Sequence, residues 1–518
     1  MKQSIQDYFH SLCKYNESFL KNVIVTLLVS AFVSLTPALA EQSSSSNQTS
    51  VQVIVKGNQL KSLKFEDPPE PIIPSYSTYE LPNGLKIFLL EDHEVPLIGG
   101  QIIFHGGPRS DPYDKLGLAR LSSAVLRTGG SERTPGETLN QILEDKAASI
   151  EASSSGASTG VSFGCLSEDL DQVLELFSEV VRTPAFPNEQ LKQAKIQAFG
   201  AISRRNDDPN GIVGREALKL IYGDSSPYAV STENKTIRKI ERKDLLSFHR
   251  SYFAPNNALL GVVGDFDSET LKRSLETYFG DWQRLEDLPV PSSISPEVDR
   301  TAANQSRGKI YLVDKPELSQ AYVRIGSLGG RLDDPDYFAM DVLNQVLNGL
   351  SGRMFNEIRS KAGLAYSVYA QWVPAFDHPG IFYAGGETSS EQVAPFISKI
   401  ISLLDDLNEK SPVTESEVND AKLSTLNAFV FNFTDTADIL SRVMKYAFYG
   451  YPEDFAQQYK KGIENVSASE VTQAVKDHIH TDDLSILVLG NQKILKPQLQ
   501  STQLTQFPVL SRSIQIPK

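Results

Sequence analysis

The chain has 518 residues, too many for one hydrophobic core, which stops growing at roughly 250–300 residues, so two large domains are expected. Hydrophobic residues at 40% and charged residues at 22% are ordinary for a soluble globular protein. The net charge of −14 excludes nucleic acid as a main partner, because phosphate binding needs a basic footprint, and it weighs against an anionic membrane surface.

Residues 1–40 read as an export signal. Lys14 and Lys21 form a positive flank, and residues 23–35 are an apolar run of 13, short of the ~20 that span a membrane. Pro37 followed by Ala38-Leu39-Ala40 is a small-x-small cleavage pattern, so cleavage is expected after Ala40, with an uncleaved anchor as the alternative. The mature chain would then lie in a periplasmic or extracellular space, with no membrane contact beyond the signal. Cys13 would be lost on cleavage, leaving Cys165 alone and no internal disulfide. Residues 41–69 are a polar linker and lead-in, opening on EQSSSSNQTS.

The body of the chain repeats itself. Residues 85–90 and 98–104 read as strands, and Gly106-Gly107 is then followed by Arg109 and Asp111-Pro112. Further on, Gly329-Gly330 is followed by Arg331 and Asp334-Pro335, an offset of 330 − 107 = 223. Tyr222-Gly223 returns as Tyr449-Gly450, offset 227, and Gly264 after a strand-like run returns as Gly490, offset 226. Helical spacing marks residues 170–181 in the first half and 396–407 in the second. Two homologous lobes follow, 70–285 and 307–495, with an inter-lobe linker at 286–306 and a C-terminal tail at 496–518. The expected fold class is α+β: each lobe an antiparallel-rich sheet with helices packed on one face, the two in a clamshell arrangement.

The seven histidines, at positions 10, 93, 105, 249, 378, 478 and 480, include no H-x-x-E-H or H-E-x-x-H pair of zinc ligands. His478 and His480 read as a solvated pair near a helix end, and His93 and His105 as structural or surface residues. Cys165 sits in a strand-like run, buried rather than reactive.

The run FHGGPRSDPYDKLGLARLSSAVLRTGG in the first lobe and NQVLNGLSGRMFNEIRSKAGLAYSVYAQW in the second resemble the insulinase/pitrilysin family, which includes the mitochondrial processing peptidases. The resemblance spans about residues 75–495. It implies an inverted zinc motif, H-x-x-E-H, on a helix after a Gly-x-Ala lead-in, with the Glu as general base. Here the lead-in is Gly117-Leu118-Ala119, but the first His position holds Arg120, the Glu position Ser123 and the second His position Ala124. The family's downstream Glu ligand falls on Ala201, and no Glu occurs between Gln190 and Arg215. All the implied ligands and the base are missing, so the chain is expected to hold no cofactor and to be inactive alone.

The resemblance also implies that Arg359 and Tyr366 bind the backbone of a peptide between the lobes, for which a guanidinium fork and a phenol are suited donors. Residues 150–163, rich in Ser and Gly, match a sheet-edge strand that in active relatives pairs with substrate; here the edge either accepts an extended peptide or serves no function. The expected function is therefore the non-catalytic, substrate-binding subunit of a zinc metallopeptidase pair. Its partners would be an unfolded peptide and a zinc-bearing relative, with zinc held by that relative in a heterodimer. A stand-alone peptide-binding or scaffold protein, or a hydrolase with an unrecognised site, are the alternatives.

Overall fold

In the first half of the chain, alternate residues of single strands point into different cores. In the computed structural model, Ile87 and Leu89 face one hydrophobic cluster while Phe88 and Leu90 face another. In the second half, Ile486 and Val488 face one cluster and Leu487 and Leu489 a second. Such continuous apolar runs mark strands covered on both sides. The structure describes residues 74–288, 297–349, 351–500 and 504–514, all within one compact unit. The export signal, its cleavage site and the polar lead-in lie outside the described residues.

The first lobe contains β1 (Ser77–Glu80), β2 (Lys86–Glu91), β3 (Leu97–His105), α1 (Leu118–Gly129), β4 (Ser149–Ser155), β5 (Ser158–Leu166), α2 (Leu170–Arg182), α3 (Asn188–Arg204), α4 (Pro209–Tyr222), α5 (Arg242–Tyr252) and β6 (Ala258–Gly264). Its strands form one sheet in the order β1-β2-β6-β3-β5-β4, antiparallel except for the β2–β6 pair. The second lobe contains β7 (Lys309–Asp314), β8 (Gln320–Leu328), α6 (Tyr337–Asn348), a π-helical segment (Phe355–Lys361), β9 (Ser367–Val373), β10 (Ile381–Ser389), α7 (Val393–Asp406), α8 (Glu415–Val430), α9 (Thr436–Tyr449), α10 (Ala468–His478), β11 (Ser485–Gly490) and β12 (Val509–Ser511). The order here is β12-β7-β11-β8-β10-β9, which repeats the first lobe strand for strand from β2/β7 to β4/β9.

Several details go beyond the sequence reading. Residues 150–163 are not one edge strand but most of a hairpin: the chain turns at Gly156 (φ 53°), and only β4 is outermost. Residues 509–511, assigned to a tail, pair in parallel with β7 inside the second sheet. Beyond them Arg512 grips the first lobe, with Nε 3.0 Å from the buried Glu216 carboxylate on α4.

Helices such as α1, α2 and α5 cover one face of the first sheet. The second face takes a helix from the other lobe. Ile212, Val213, Ala217 and Leu220 of α4 pack on Val313, Leu487 and Leu489 of the second sheet. Reciprocally, Leu440, Val443 and Met444 of α9 pack on Phe88, Leu90 and Val263 of the first. Tyr222-Gly223 and Tyr449-Gly450, the landmarks of the repeat, are the ends of these two exchanged helices. The exchange needs close approach: a Cβ on Gly261 of β6 would stand 2.2 Å from Met444 Sδ, and one on Gly326 of β8 would stand 2.9 Å from the Ile221 side chain. Gly261→Val is therefore expected to cost about 1–3 kcal/mol by overpacking, read as a lower urea midpoint, with α9 as the displaced element.

Candidate functional site

The site begins with the capping of α1. Asp111 sits after the Gly106-Gly107 turn, and its carboxylate accepts from the Gly117 (2.7 Å) and Ala119 (2.9 Å) amides, two of the orphan donors of the helix start. Leu118, Leu121, Val125 and Leu126 then bury one stripe of α1 in the first core. Arg120 is exposed, Ser123 is buried with its hydroxyl donating to the Arg120 carbonyl (3.0 Å), and Ala124 is half-buried. The helix α3 packs against α1 and carries Ala201, exposed.

This arrangement tests directly whether a zinc ion fits. Zinc takes deprotonated N, S or O donors in a tetrahedron. The four positions offer a guanidinium, a hydroxyl committed to its own helix and two methyl groups. They do not fit the ion, and no step can be routed through one here. Among the described residues no group of three or more His, Cys, Asp or Glu could hold a metal. Among the described histidines, His93 contacts Asp265 (2.7 Å) and Glu91 (3.5 Å), His249 the Val181 carbonyl (2.8 Å), His378 Asp377 (2.7 Å) and His478, at the end of α10, Asp336 (3.0 Å), while His480 is exposed. His105 stacks on Phe448 at 3.9 Å. Cys165 is buried in β5, and burial pushes its thiol up to about 12, so it is no nucleophile.

Arg359 and Tyr366, in contrast, come together. The Arg359 guanidinium lies 5.4 Å from the Tyr366 ring centre and 5.1 Å from that of Phe355. Phe355 and Arg359 share one face of the π-helical segment, and Tyr366 stands just before β9. Both rings are presented to solvent, Tyr366 at 63% and Phe355 at 41% exposure, beside the Arg359 guanidinium. Phe355 had no distinguishing signal in the sequence; only its spacing of four from Arg359 on a helical turn could have drawn attention. The Tyr366 amide donates to the Glu387 carbonyl (3.2 Å), and the Glu387 side chain accepts from Asn210 at the start of α4 (3.2 Å). The pair thus sits on the rim where the two lobes meet.

The lobes also meet around a cavity of about 540 Å³ whose lining includes Arg109, Arg120, Arg215, Tyr222, Tyr228 and His378. Arg109 Nη1 contacts both Asp377 oxygens (3.0 and 2.7 Å), joining the Gly-Gly turn of the first lobe to the β9–β10 loop of the second. The Arg109 guanidinium lies 4.9 Å from the Tyr228 ring, on which His378 stacks at 4.0 Å. Burial, opposed by the hydrogen bond the ring makes to the Asp377 carboxylate, holds the His378 imidazole below its ordinary range, so it is neutral at pH 7.

Comparison with known proteins decides the lineage. A family profile described as "Insulinase (Peptidase family M16)" matches residues 88–220, and one described as "Peptidase M16 inactive domain" matches residues 239–424. The chain belongs to the M16 peptidase family. At the positions where the sequence resemblance implies zinc ligands and the general base, it carries Arg120, Ser123, Ala124 and Ala201. It is 25% identical over 424 residues to "Non-peptidase homolog YmxG" of Helicobacter pylori, covering 80% of this chain and 94% of that one. It is also 22% identical to "Zinc protease PqqE" of the same organism, covering 71% of this chain and 82% of that one. Among solved structures, a peptidase M16 inactive domain from Pseudomonas fluorescens superposes with TM-score 0.69 at 24% identity, covering 80% of this chain and 98% of that one. That likeness shows the two-lobed fold. No described helix is long and apolar enough to cross a membrane.

Proposed function

We propose that this M16 homologue is the non-catalytic, substrate-holding subunit of a zinc peptidase pair, exported and acting on unfolded peptide beside a zinc-bearing relative. The observation that carries the reading is the exposed Arg359–Tyr366 pair, kept together at the lobe rim while the metal positions have become Arg120, Ser123, Ala124 and Ala201. Arg359 would offer a fork of N–H donors, and Tyr366 its hydroxyl, to main-chain carbonyls of an extended peptide. The hydrolytic chemistry would be the partner's. The similarity to both a non-peptidase homologue and a zinc protease from one organism is consistent with a paired arrangement.

The test is to purify residues 41–518, mix them with the nearest zinc-bearing relative from the same organism, and assay a fluorogenic peptide mixture. Hydrolysis is expected from the mixture and not from this chain alone. Arg359→Ala or Tyr366→Ala is expected to lower kcat/KM of the pair by about 10–100-fold, the loss of one or two hydrogen bonds to a charged or polarised group. Stoichiometric zinc and chelator-sensitive hydrolysis by this chain alone would overturn the reading. Tight peptide binding with no effect of the partner would instead support a stand-alone peptide binder.

A further inference from the structure

The two lobes end their sheets on corresponding edge strands, β4 and β9, yet treat them differently. An edge strand presents a row of main-chain N–H and C=O groups that can template another strand. On β9 two residues of that row are already occupied. Asn344 of α6 accepts from the Trp372 amide (2.7 Å) and donates to the Trp372 carbonyl (2.9 Å). One helical turn on, Asn348 accepts from the Ala370 amide (2.9 Å) and donates to the Ala370 carbonyl (2.5 Å). Each side-chain amide thus takes the donor–acceptor pair that a neighbouring antiparallel strand would use. The bracket is held from behind, because Asp341 accepts from Asn344 (3.4 Å) and from the Tyr459 hydroxyl (2.5 Å). In the first lobe, α1 occupies the matching place beside β4, but the hydrogen bonds it makes there use β4 side chains: Arg127 to Glu151 (3.3 Å) and the Ser154 hydroxyl to the Ala119 carbonyl (3.0 Å).

We infer that Asn344 and Asn348 close the β9 edge to strand addition, so that no further strand extends the second-lobe sheet from that side. A strand docking on β9 would have to break four hydrogen bonds and leave two half-buried amides unsatisfied for the bonds it gained, which removes the net gain. With Tyr366 immediately before β9, the seal also keeps a peptide held at the Arg359–Tyr366 rim from running down the second lobe. The peptide part of this inference rests on the proposed peptide-holding role; the closure of the edge does not.

The test compares the wild-type protein with Asn344→Ala/Asn348→Ala. Amide hydrogen exchange at Ala370 and Trp372 is expected to be slow in the wild type and about tenfold or more faster in the variant, with β10 amides unchanged. The freed edge is expected either to self-associate, seen by light scattering, or to bind a second equivalent of an extended Thr-Val peptide carrying a photo-crosslinker, which labels β9 only in the variant. Unchanged exchange in a folded variant, or fast exchange with neither self-association nor a second equivalent, would overturn the seal. Should the double variant fail to fold, Asn344→Ser and Asn348→Ser, each leaving one bracket in place, are read by the same exchange measurement. Self-association of the variant with no peptide bound by either protein would uphold the seal and count against the peptide-holding role.

Discussion

Replacing Asp377 with Ala is expected to destabilise the protein by about 3–5 kcal/mol and to uncouple the unfolding of its lobes. Asp377 lies on the β9–β10 loop and receives Arg109 across the lobe boundary with both side chains largely buried, 16% and 15% exposed. Removing one member of a buried pair leaves the other charge without its partner, which costs more than the pair contributes. The same loop carries His378, stacked on Tyr228, and Pro379, whose carbonyl accepts from the Tyr222 hydroxyl (2.8 Å) at the end of the exchanged helix α4. Loosening Asp377 therefore loosens the docking of α4. The two tryptophans report on this separately, because Trp282 belongs to the first-lobe core and Trp372 to the second. In urea their fluorescence transitions, isolated with Trp282→Phe and Trp372→Phe backgrounds, are expected to coincide in the wild type and to separate with Asp377→Ala. Arg109→Met/Asp377→Ala should recover much of the loss, because the stranded charge is gone; a double variant no better than the single would show that the ion pair is not what joins the lobes.

Much of the architecture was legible because it is written twice. The Gly-Gly turns, the Tyr-Gly helix ends and the closing strand glycines recur at nearly one offset, and the structure places each pair at corresponding points of the two sheets. Which side chains stand on α1 was legible too, because Arg120, Ser123 and Ala124 can be read directly. The helix exchange was not. Periodicity says that α4 and α9 have apolar faces but not which sheet those faces meet, and Gly261 looks like any strand glycine until Met444 lies against it. The runs of residues 87–90 and 486–489, apolar at every position, did carry the signal that both faces of each sheet are covered. Asn344 and Asn348 were invisible for a related reason: at helical spacing two Asn residues read as a solvated face, and only the strand beside them turns them into a seal. Asp377 and His378 lie in a loop with no pattern at all, and their roles depend wholly on contacts with Arg109 and Tyr228 more than a hundred residues away.

The stability of the α1 corner is expected to fall as pH rises, contrary to the usual behaviour of a capping carboxylate. Burial pushes the Asp111 carboxyl up from its ordinary 3.8 to about 6, against the pull of the Ala119 and Gly117 amides and of the Arg120 charge. A folded value above the unfolded one means that the folded protein holds the extra proton. The associated stability is complete below about pH 4 and is lost as pH climbs through 6. A difference of 6 − 3.8 = 2.2 corresponds to about 3 kcal/mol. Asp111→Asn should remove this dependence, so the wild-type minus variant difference in urea stability, measured from pH 4 to pH 7, isolates it from other carboxyls. Arg120→Ala should move the same dependence to higher pH, because the Arg120 charge favours the ionised form. At neutral pH Asp111→Ala carries a separate cost of about 1–3 kcal/mol for two buried amides left without an acceptor. A pH profile identical in the wild type and Asp111→Asn would mean that Asp111 remains ionised throughout, with its two amide donors outweighing burial. If the profile does shift with Arg120→Ala, the residue that stands in the first zinc-ligand position acts in this chain as the counter-charge for a helix cap.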